Sequence, residues 1–288
     1  MCGCKTVHRQ GSPFLLAGSV CTNGHAPFAC NTAVDTGRPP LHTDQMQHST
    51  QIGAEIPRVI GLIGGMSWES SAEYYKLINQ AVRDRLGPLR SAKLLMYSVD
   101  FGPVEQAQHA GRWDDAAALL EDAARRLHRG GADCVLLCTN TMHKVADRIQ
   151  AAVPIPFLHI ADPVGQAAQQ AGVQVLGLLG TRFTMEQPFM RERLERQHGL
   201  KVLVPDADER DAVHRIIYEE LCAGQVHDAS RQIYQSAIAN LAARGAQAVV
   251  LGCTEITLLI QPAHSVLPVL DTTALHARAA VDFALHGL

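Results

Sequence analysis

The chain has 288 residues, of which 47% are hydrophobic and 18% are charged, a composition that can bury a sizeable core and argues against wholesale disorder. Its 25 Lys and Arg residues against 28 Asp and Glu residues give a net charge of −3, which leaves no basic excess for nucleic acid. No apolar run reaches the roughly 18 residues of a membrane-spanning helix, and eight irregularly spaced cysteines are too few for a disulfide scaffold. We therefore expect a soluble, cytoplasmic protein that binds neither nucleic acid nor membranes.

Residues 1–57 differ in composition from the remainder of the chain. Glycines and prolines recur there and oppose regular structure. Half of the cysteines also lie in this segment, at Cys2, Cys4, Cys21 and Cys30. One hypothesis is a metal-binding knuckle completed by His8 or His25, but a single residue between two zinc ligands is unusual. We favour a disordered N-terminal extension, with Met46 as the working start.

From Arg58 onward, short apolar runs alternate with amphipathic segments. Val59–Ile63 is typical of a buried parallel strand, and Ser67 can cap a helix that ends at Gly87. In chain order, the further predicted elements are a strand at 94–99, a helix at 114–129, a strand at 134–137, a helix at 143–152, strands at 155–160 and 175–179, a helix at 187–197, a strand at 202–204, helices at 212–222 and 229–244, strands at 248–251 and 266–270, and a helix at 273–286. This alternation predicts an α/β fold of parallel sheets flanked by helices.

The chain also contains an internal duplication. Val59–Gly64 is similar to Val175–Gly180, 116 residues later, and Gly131–Thr139 is similar to Gly245–Cys253, 114 residues later. Matches in the same order at nearly one separation predict two pseudo-symmetric α/β domains.

We expect residues 58–160 together with 273–288 to form the first domain and residues 161–272 to form the second. Ligands of parallel sheets bind beyond the carboxyl ends of the strands. The duplication therefore predicts an active site in the cleft between the two domains.

Aligning the two repeats places Thr139 opposite Cys253, and Cys138 at the position of Gly252. A hydroxyl and a thiol that face each other can remove a proton from one face of a carbon and return one to the other. We expect the thiolate of Cys253 to be favoured by a helix that starts there. Cys138 remains an alternative partner for Cys253, because strand ends are predicted only loosely.

Three segments resemble the signature segments of the aspartate/glutamate racemase superfamily, and the likeness extends over residues 58–288. They are Gly64–Ser70 (GGMSWES), Cys138–His143 (CTNTMH) and Gly252–Ile256 (GCTEI). The branch that looks most similar is that of bacterial racemases with aspartate/glutamate or broad amino-acid specificity. The resemblance implies a homodimeric racemase that needs no pyridoxal phosphate, other cofactor or metal. Many members carry a cysteine where this chain has Thr139.

The predicted catalytic residues are Thr139 and Cys253. Asn140, Thr141 and Thr254 are placed by motif to hold the substrate carboxylate, or they serve as helix caps. The resemblance implies that Met66 and Gln108 also line the substrate.

Two further residues leave alternatives open. His143 either orients a neighbour or simply packs, and Arg182 either pairs with a substrate carboxylate or stays exposed.

We predict a cofactor-independent racemase that interconverts the L and D forms of aspartate, glutamate or a similar amino acid. Because a hydroxyl is a far weaker acid than a thiol, we expect Cys253 to abstract the α-proton and Thr139 to donate one, which favours one direction. The alternatives are other chemistry of the superfamily (a hydantoin racemase, a decarboxylase or a maleate-type isomerase) or a non-catalytic protein that binds small molecules.

Overall fold

The computed structural model describes residues 56–287, and these contain two four-stranded parallel sheets flanked by helices. The first sheet consists of β1 (Ile60–Gly64), β2 (Leu94–Ser98), β3 (Cys134–Leu137) and β4 (Phe157–Leu158). The second sheet consists of β5 (Val175–Gly180), β6 (Lys201–Leu203), β7 (Ala248–Gly252) and β8 (Val269–Asp271). The predicted fold class is confirmed.

The α-helices of the described residues are α1 (Trp68–Leu86), α2 (Phe101–His109), α3 (Trp113–Arg129), α4 (Ala146–Ala151), α5 (Ala161–Gln170), α6 (Arg182–Glu186), α7 (Pro188–His198), α8 (Ala207–Glu219), α9 (Asp228–Ala243), α10 (Ile256–Leu259) and α11 (Thr272–His286). Short 3₁₀ turns lie at Thr141–Val145, Leu221–Ala223 and Pro262–His264. Within residues 56–287, no helix combines the length and the apolarity needed to cross a membrane.

The duplication predicted from the sequence is visible in the order of the strands. The first sheet runs β2-β1-β3-β4 and the second runs β6-β5-β7-β8, so each strand has a counterpart at the same place in the other sheet. The central pairs are β1 with β3 and β5 with β7, and both are parallel. We call the residues around the first sheet the first half and those around the second sheet the second half.

Buried side chains cover both faces of each sheet, as expected when helices pack on two sides of parallel strands. β1, β3 and β7 are buried along their whole length, which explains their continuous apolar runs. The last helix, α11, packs its buried Ala277, Ala280 and Val281 against residues of β1 and α1. Leu275 of the same helix packs against the core of the second sheet.

Several predicted boundaries are wrong. The strand predicted at 155–160 is only Phe157–Leu158, because Pro154 and Pro156 cannot donate ladder hydrogen bonds on their own nitrogens. The helix predicted at 143–152 begins as a 3₁₀ turn at Thr141 and becomes α-helical only at Ala146. The strand predicted at 266–270 lies at 269–271, and the helix predicted at 212–222 is α8, which begins at Ala207 after the capping pair Asp206 and Glu209.

The helices α2 and α5 are absent from the sequence-based prediction. Each contains a proline and a glycine, which reduce the helical signal. At Gly165 in α5 the glycine is required by packing, because a Cβ there would collide with the ring of His198.

Of the predicted N-terminal extension, only residues 56 and 57 are described. Ile56 is buried in the core around β1. The hypothetical metal knuckle at Cys2, Cys4, Cys21 and Cys30 lies outside the described residues.

Candidate active site

A cavity of about 90 Å³ lies between the two halves and is lined by residues that directly follow β1, β3, β5 and β7. All seven residues that the sequence analysis assigns to the site line this cavity: Met66, Gln108, Thr139, Asn140, Thr141, Cys253 and Thr254. The carboxyl ends of the four central strands therefore converge on one small chamber. Its size suits a ligand with few heavy atoms.

Cys253 follows β7 and donates its Sγ–H to Oε2 of Glu255 at 2.8 Å. Burial, the charge of Glu255 and this hydrogen bond raise the pKa of the Cys253 thiol well above its usual value. The expected stabilisation of the thiolate by a helix start is wrong, because α10 begins only at Ile256 and has four residues. The raised pKa keeps the resting thiol protonated, and its proton is shared with the carboxylate of Glu255.

Glu255 connects the two halves across the cavity. Its Oε1 accepts hydrogen bonds from the hydroxyls of Ser67 at 3.4 Å and Ser70 at 3.3 Å, at the first turn of α1. The positive end of this 19-residue helix favours a carboxylate at that position. Glu255 is thus held by the first half while it contacts the thiol of the second.

Thr139 follows β3 and is partly buried in the cavity wall. Its carbonyl accepts a hydrogen bond from Nδ1 of His143 at 2.8 Å. Cys138, the alternative partner, is fully buried among residues of β1, α1 and α11 and does not line the cavity. Burial raises the pKa of the Cys138 thiol. The arrangement of the strands matches the register of the internal repeat.

Asn140 presents an unpaired acceptor. Its Nδ2 donates to the hydroxyl of Thr272 at 3.2 Å, and that hydroxyl donates to the carbonyl of Leu251 at 2.9 Å. Because the Thr272 hydroxyl is already a donor, the atom of Asn140 that faces it must be nitrogen. The buried Oδ1 then has no hydrogen-bond partner among the described residues. An unpaired buried acceptor is costly unless a donor reaches it, and Asn140 lines the cavity.

The remaining predicted binding residues are held by neighbours. The hydroxyls of Thr141 and Thr181 lie 3.4 Å apart, and that of Thr254 lies 3.3 Å from the hydroxyl of Thr273. The amide nitrogen of the buried Gln108 contacts Sδ of Met142 at 2.8 Å. These contacts fix the hydroxyl and amide groups of the cavity wall.

Arg182 lies away from the cavity. Its guanidinium is exposed and pairs with Asp211 at 2.7 Å, as the simpler of its two interpretations expects.

Sequence reasoning missed the part of the wall that α8 and the turn after it contribute. Ile217, Tyr218 and Cys222 line the cavity there. Burial, with Cys253 nearby, raises the pKa of Tyr218 to about 12. No sequence motif indicates these residues, because their position in the cavity wall depends on how α8 packs across the cleft. Glu255 belongs to the signature segment Gly252–Ile256, but the sequence analysis does not predict its hydrogen bond with Cys253.

The family model described as Asp/Glu/hydantoin racemase matches residues 63–280 of the chain. The chain belongs to the Asp/Glu/hydantoin racemase family. This membership confirms the predicted family and the predicted enzyme class, a racemase among the isomerases.

Similar solved structures support the same assignment. One is a candidate Asp/Glu racemase from Yersinia pestis, which is 53% identical, covers 80% of this chain and 100% of that chain, and has a TM-score of 0.77. Another is an aspartate racemase homologue from Pyrococcus horikoshii OT3, which is 32% identical, covers 79% of this chain and 99% of its own, and has a TM-score of 0.71. A broad-specificity amino-acid racemase of Bacillus subtilis is 22% identical over 78% of this chain and 97% of its own length. The racemase fold therefore extends over almost the whole described region.

Proposed function

We propose that this member of the racemase family inverts amino acids by moving the α-proton between Cys253 and Thr139. The observation that supports this most directly is that both residues line one cavity, each just after a central strand of a different half. A thiol and a hydroxyl on two walls can exchange protons with opposite faces of one carbon.

Substrate binding follows from the polar groups of the wall. The unpaired Oδ1 of Asn140 is an acceptor that suits the α-ammonium group. That Asn140 holds the carboxylate also remains a prediction, because its Nδ2 donates one hydrogen to Thr272 and has a second one to donate. The hydroxyls of Thr141 and Thr254 are the groups that we assign to the α-carboxylate, where donors also stabilise the charge that develops when the α-proton leaves.

The chemical step begins at Cys253. Glu255 accepts the Sγ proton, the thiolate accepts the α-proton, and the C–H electron pair stays on the α-carbon, delocalised into the carboxylate. The Thr139 hydroxyl gives its proton to the opposite face, which forms the new C–H bond. Water then returns a proton to Thr139, and Glu255 releases the proton it accepted. The amino acid is inverted with no net change in protons.

We propose aspartate, glutamate or a similar amino acid as the substrate. The aspartate/glutamate names of the similar structures from Yersinia pestis and Pyrococcus horikoshii support the first two. The broad-specificity relative from Bacillus subtilis supports a wider range.

We also propose that the enzyme acts without pyridoxal phosphate, in the cytoplasm and as a homodimer. The first is supported by the presence of two proton-carrying groups, the Thr139 hydroxyl and the Cys253 thiol, in the wall of one cavity. A reducing compartment suits a reaction that needs Cys253 as a free thiol. The dimer is supported by the resemblance to the family.

An enantiomer-resolved assay of a panel of amino acids, without added cofactor, tests this function. We expect inversion of at least one polar amino acid, its loss in Cys253→Ala and Thr139→Val, and nearly unchanged rates in Cys138→Ala. Binding of amino acids without inversion by the wild type would instead identify a binding protein. Loss of activity in Cys138→Ala at unchanged stability would favour the alternative pairing.

A further inference from the structure

His143 is buried and uses both nitrogens of its ring. Nδ1 bonds the carbonyl of Thr139 at 2.8 Å, and Nε2 accepts from the backbone N–H of Ile160 at 3.1 Å. Because the Ile160 N–H can only donate, Nε2 is unprotonated and Nδ1 carries the hydrogen. The tautomer of His143 is thereby fixed, with its donor directed at the peptide of Thr139.

His143 connects the backbone of Thr139 to the backbone at Ile160. Residues 158–160, which we call the link, join the first half to the second. Ile160 directly precedes α5, the first helix of the second half. A second buried histidine, His276, holds the same link by bonding the carbonyl of Leu158 at 2.7 Å and the hydroxyl of Tyr74 at 2.8 Å. Of these two histidines, only His143 bonds to Thr139.

The two halves hold their proton-carrying residues in different ways. The repeat places Thr257 at the position equivalent to His143, and its hydroxyl donates to the carbonyl of Thr254 at 2.7 Å, one residue beyond Cys253. The thiol of Cys253 is held through its own side chain by Glu255. A change at His143 therefore acts on the Thr139 side and leaves the contacts of Cys253 in place.

We infer that His143 is a positioning residue, which holds the Thr139 peptide so that the hydroxyl faces the α-carbon. This inference rests on the proposed function and deepens it. A misplacement of about 1 Å can reduce a rate about 100-fold, so a backbone anchor next to the proton donor matters for inversion. Removal of the α-proton by Cys253 does not depend on that anchor.

Two substitutions separate the two bonds of His143. In His143→Asn the amide nitrogen can occupy the place of Nδ1 and keep the bond to Thr139, whereas in His143→Gln the amide lies near the place of Nε2 and reaches only Ile160. His276→Gln is the matched control, because His276 is as buried and holds the same link. Each variant is assayed in D₂O with the enantiomer whose α-proton Cys253 removes, and two rates are recorded: inversion, and deuterium uptake without inversion.

We expect His143→Gln to lose about tenfold or more in kcat for inversion with little change in KM, while uptake without inversion continues. His143→Asn should restore inversion to near the wild-type rate, and His276→Gln should keep the wild-type ratio of uptake to inversion. Equal losses of uptake and inversion in His143→Gln, or a ratio in His276→Gln that changes as much, would overturn the positioning role. A wild type that neither exchanges nor inverts any amino acid would overturn the proposed function itself.

Discussion

At the scale of single residues, Glu255 influences whether the Cys253 thiol is protonated. Burial and the charge of Glu255 raise the pKa of Cys253, and the Glu255 carboxylate accepts a hydrogen bond from the thiol at 2.8 Å. Glu255→Gln removes the base and the negative charge but keeps the shape of the side chain. We predict that inversion falls by about 10²–10⁴-fold, the usual contribution of a general base, while the pH midpoint for alkylation of Cys253 moves lower.

The prediction is specific because one substitution should make the thiol ionise at a lower pH and yet make inversion slower. Glu219→Gln is the control, because Glu219 is exposed on α8 and pairs with Arg215. An unchanged inversion rate in Glu255→Gln, or an alkylation midpoint that moves higher, would contradict the assigned role.

The sequence predicts the identities of the residues in the site better than their electrostatics. Thr139 and Cys253 could be assigned to one cavity because the repeat fixes the register of β3 and β7. The protonated state of Cys253 could not be predicted, because it depends on burial and on the conformation of the turn that brings Glu255 to the thiol.

At the scale of elements, the loop after β1 depends on Gly65. Its φ is +94°, and a Cβ there would collide with the backbone oxygen of Val99 and lie 2.7 Å from the Val99 nitrogen. Gly131 has nearly the same φ, +93°, with nothing within 4 Å of such a Cβ. An alanine at either position would have the same backbone strain, but only an alanine at position 65 would also collide with neighbouring atoms.

We predict that Gly131→Ala lowers the free energy of unfolding by about 1 kcal/mol and that Gly65→Ala lowers it by about 1–3 kcal/mol more. Gly65→Ala should also slow inversion, since the loop carries Met66 and Ser67 into the cavity. Urea titration of both variants measures the difference. Equal losses of stability would show that the contact with Val99 does not restrict residue 65.

The strands could be predicted because parallel strands buried on both faces consist of continuous apolar residues, as in β1 and β7. The helix α5 could not, since the fit of His198 against Gly165 is a tertiary contact that overrides helix propensity. The assignment of the final helix to the first domain stays a prediction, which the packing of α11 on α1 supports.

At the scale of the whole molecule, three buried histidines surround the link between the halves. Burial lowers the pKa of His143, His159 and His276, in the last case to about 4. The unfolded chain binds protons at these residues below about pH 6.5, while the folded chain keeps them neutral. The contribution of these histidines to the free energy of unfolding should therefore be constant above neutral pH and decrease below pH 6.5, by up to about 1.4 kcal/mol per pH unit for each histidine.

Urea unfolding between pH 8 and pH 5 measures this slope, and His276→Gln should make it shallower. A free energy of unfolding that does not change between pH 7 and pH 5 would contradict the neutral state of these residues.

The most direct test of the two-faced reaction is the fate of the α-hydrogen in D₂O, followed separately for each enantiomer of the preferred amino acid. We predict that the wild type incorporates deuterium unequally from the two enantiomers. In Thr139→Val one enantiomer should still exchange while inversion falls at least about 100-fold, and in Cys253→Ala that exchange should stop. Equal uptake from both enantiomers in the wild type, or normal inversion by Thr139→Val, would contradict the division of the proton transfers between Cys253 and Thr139.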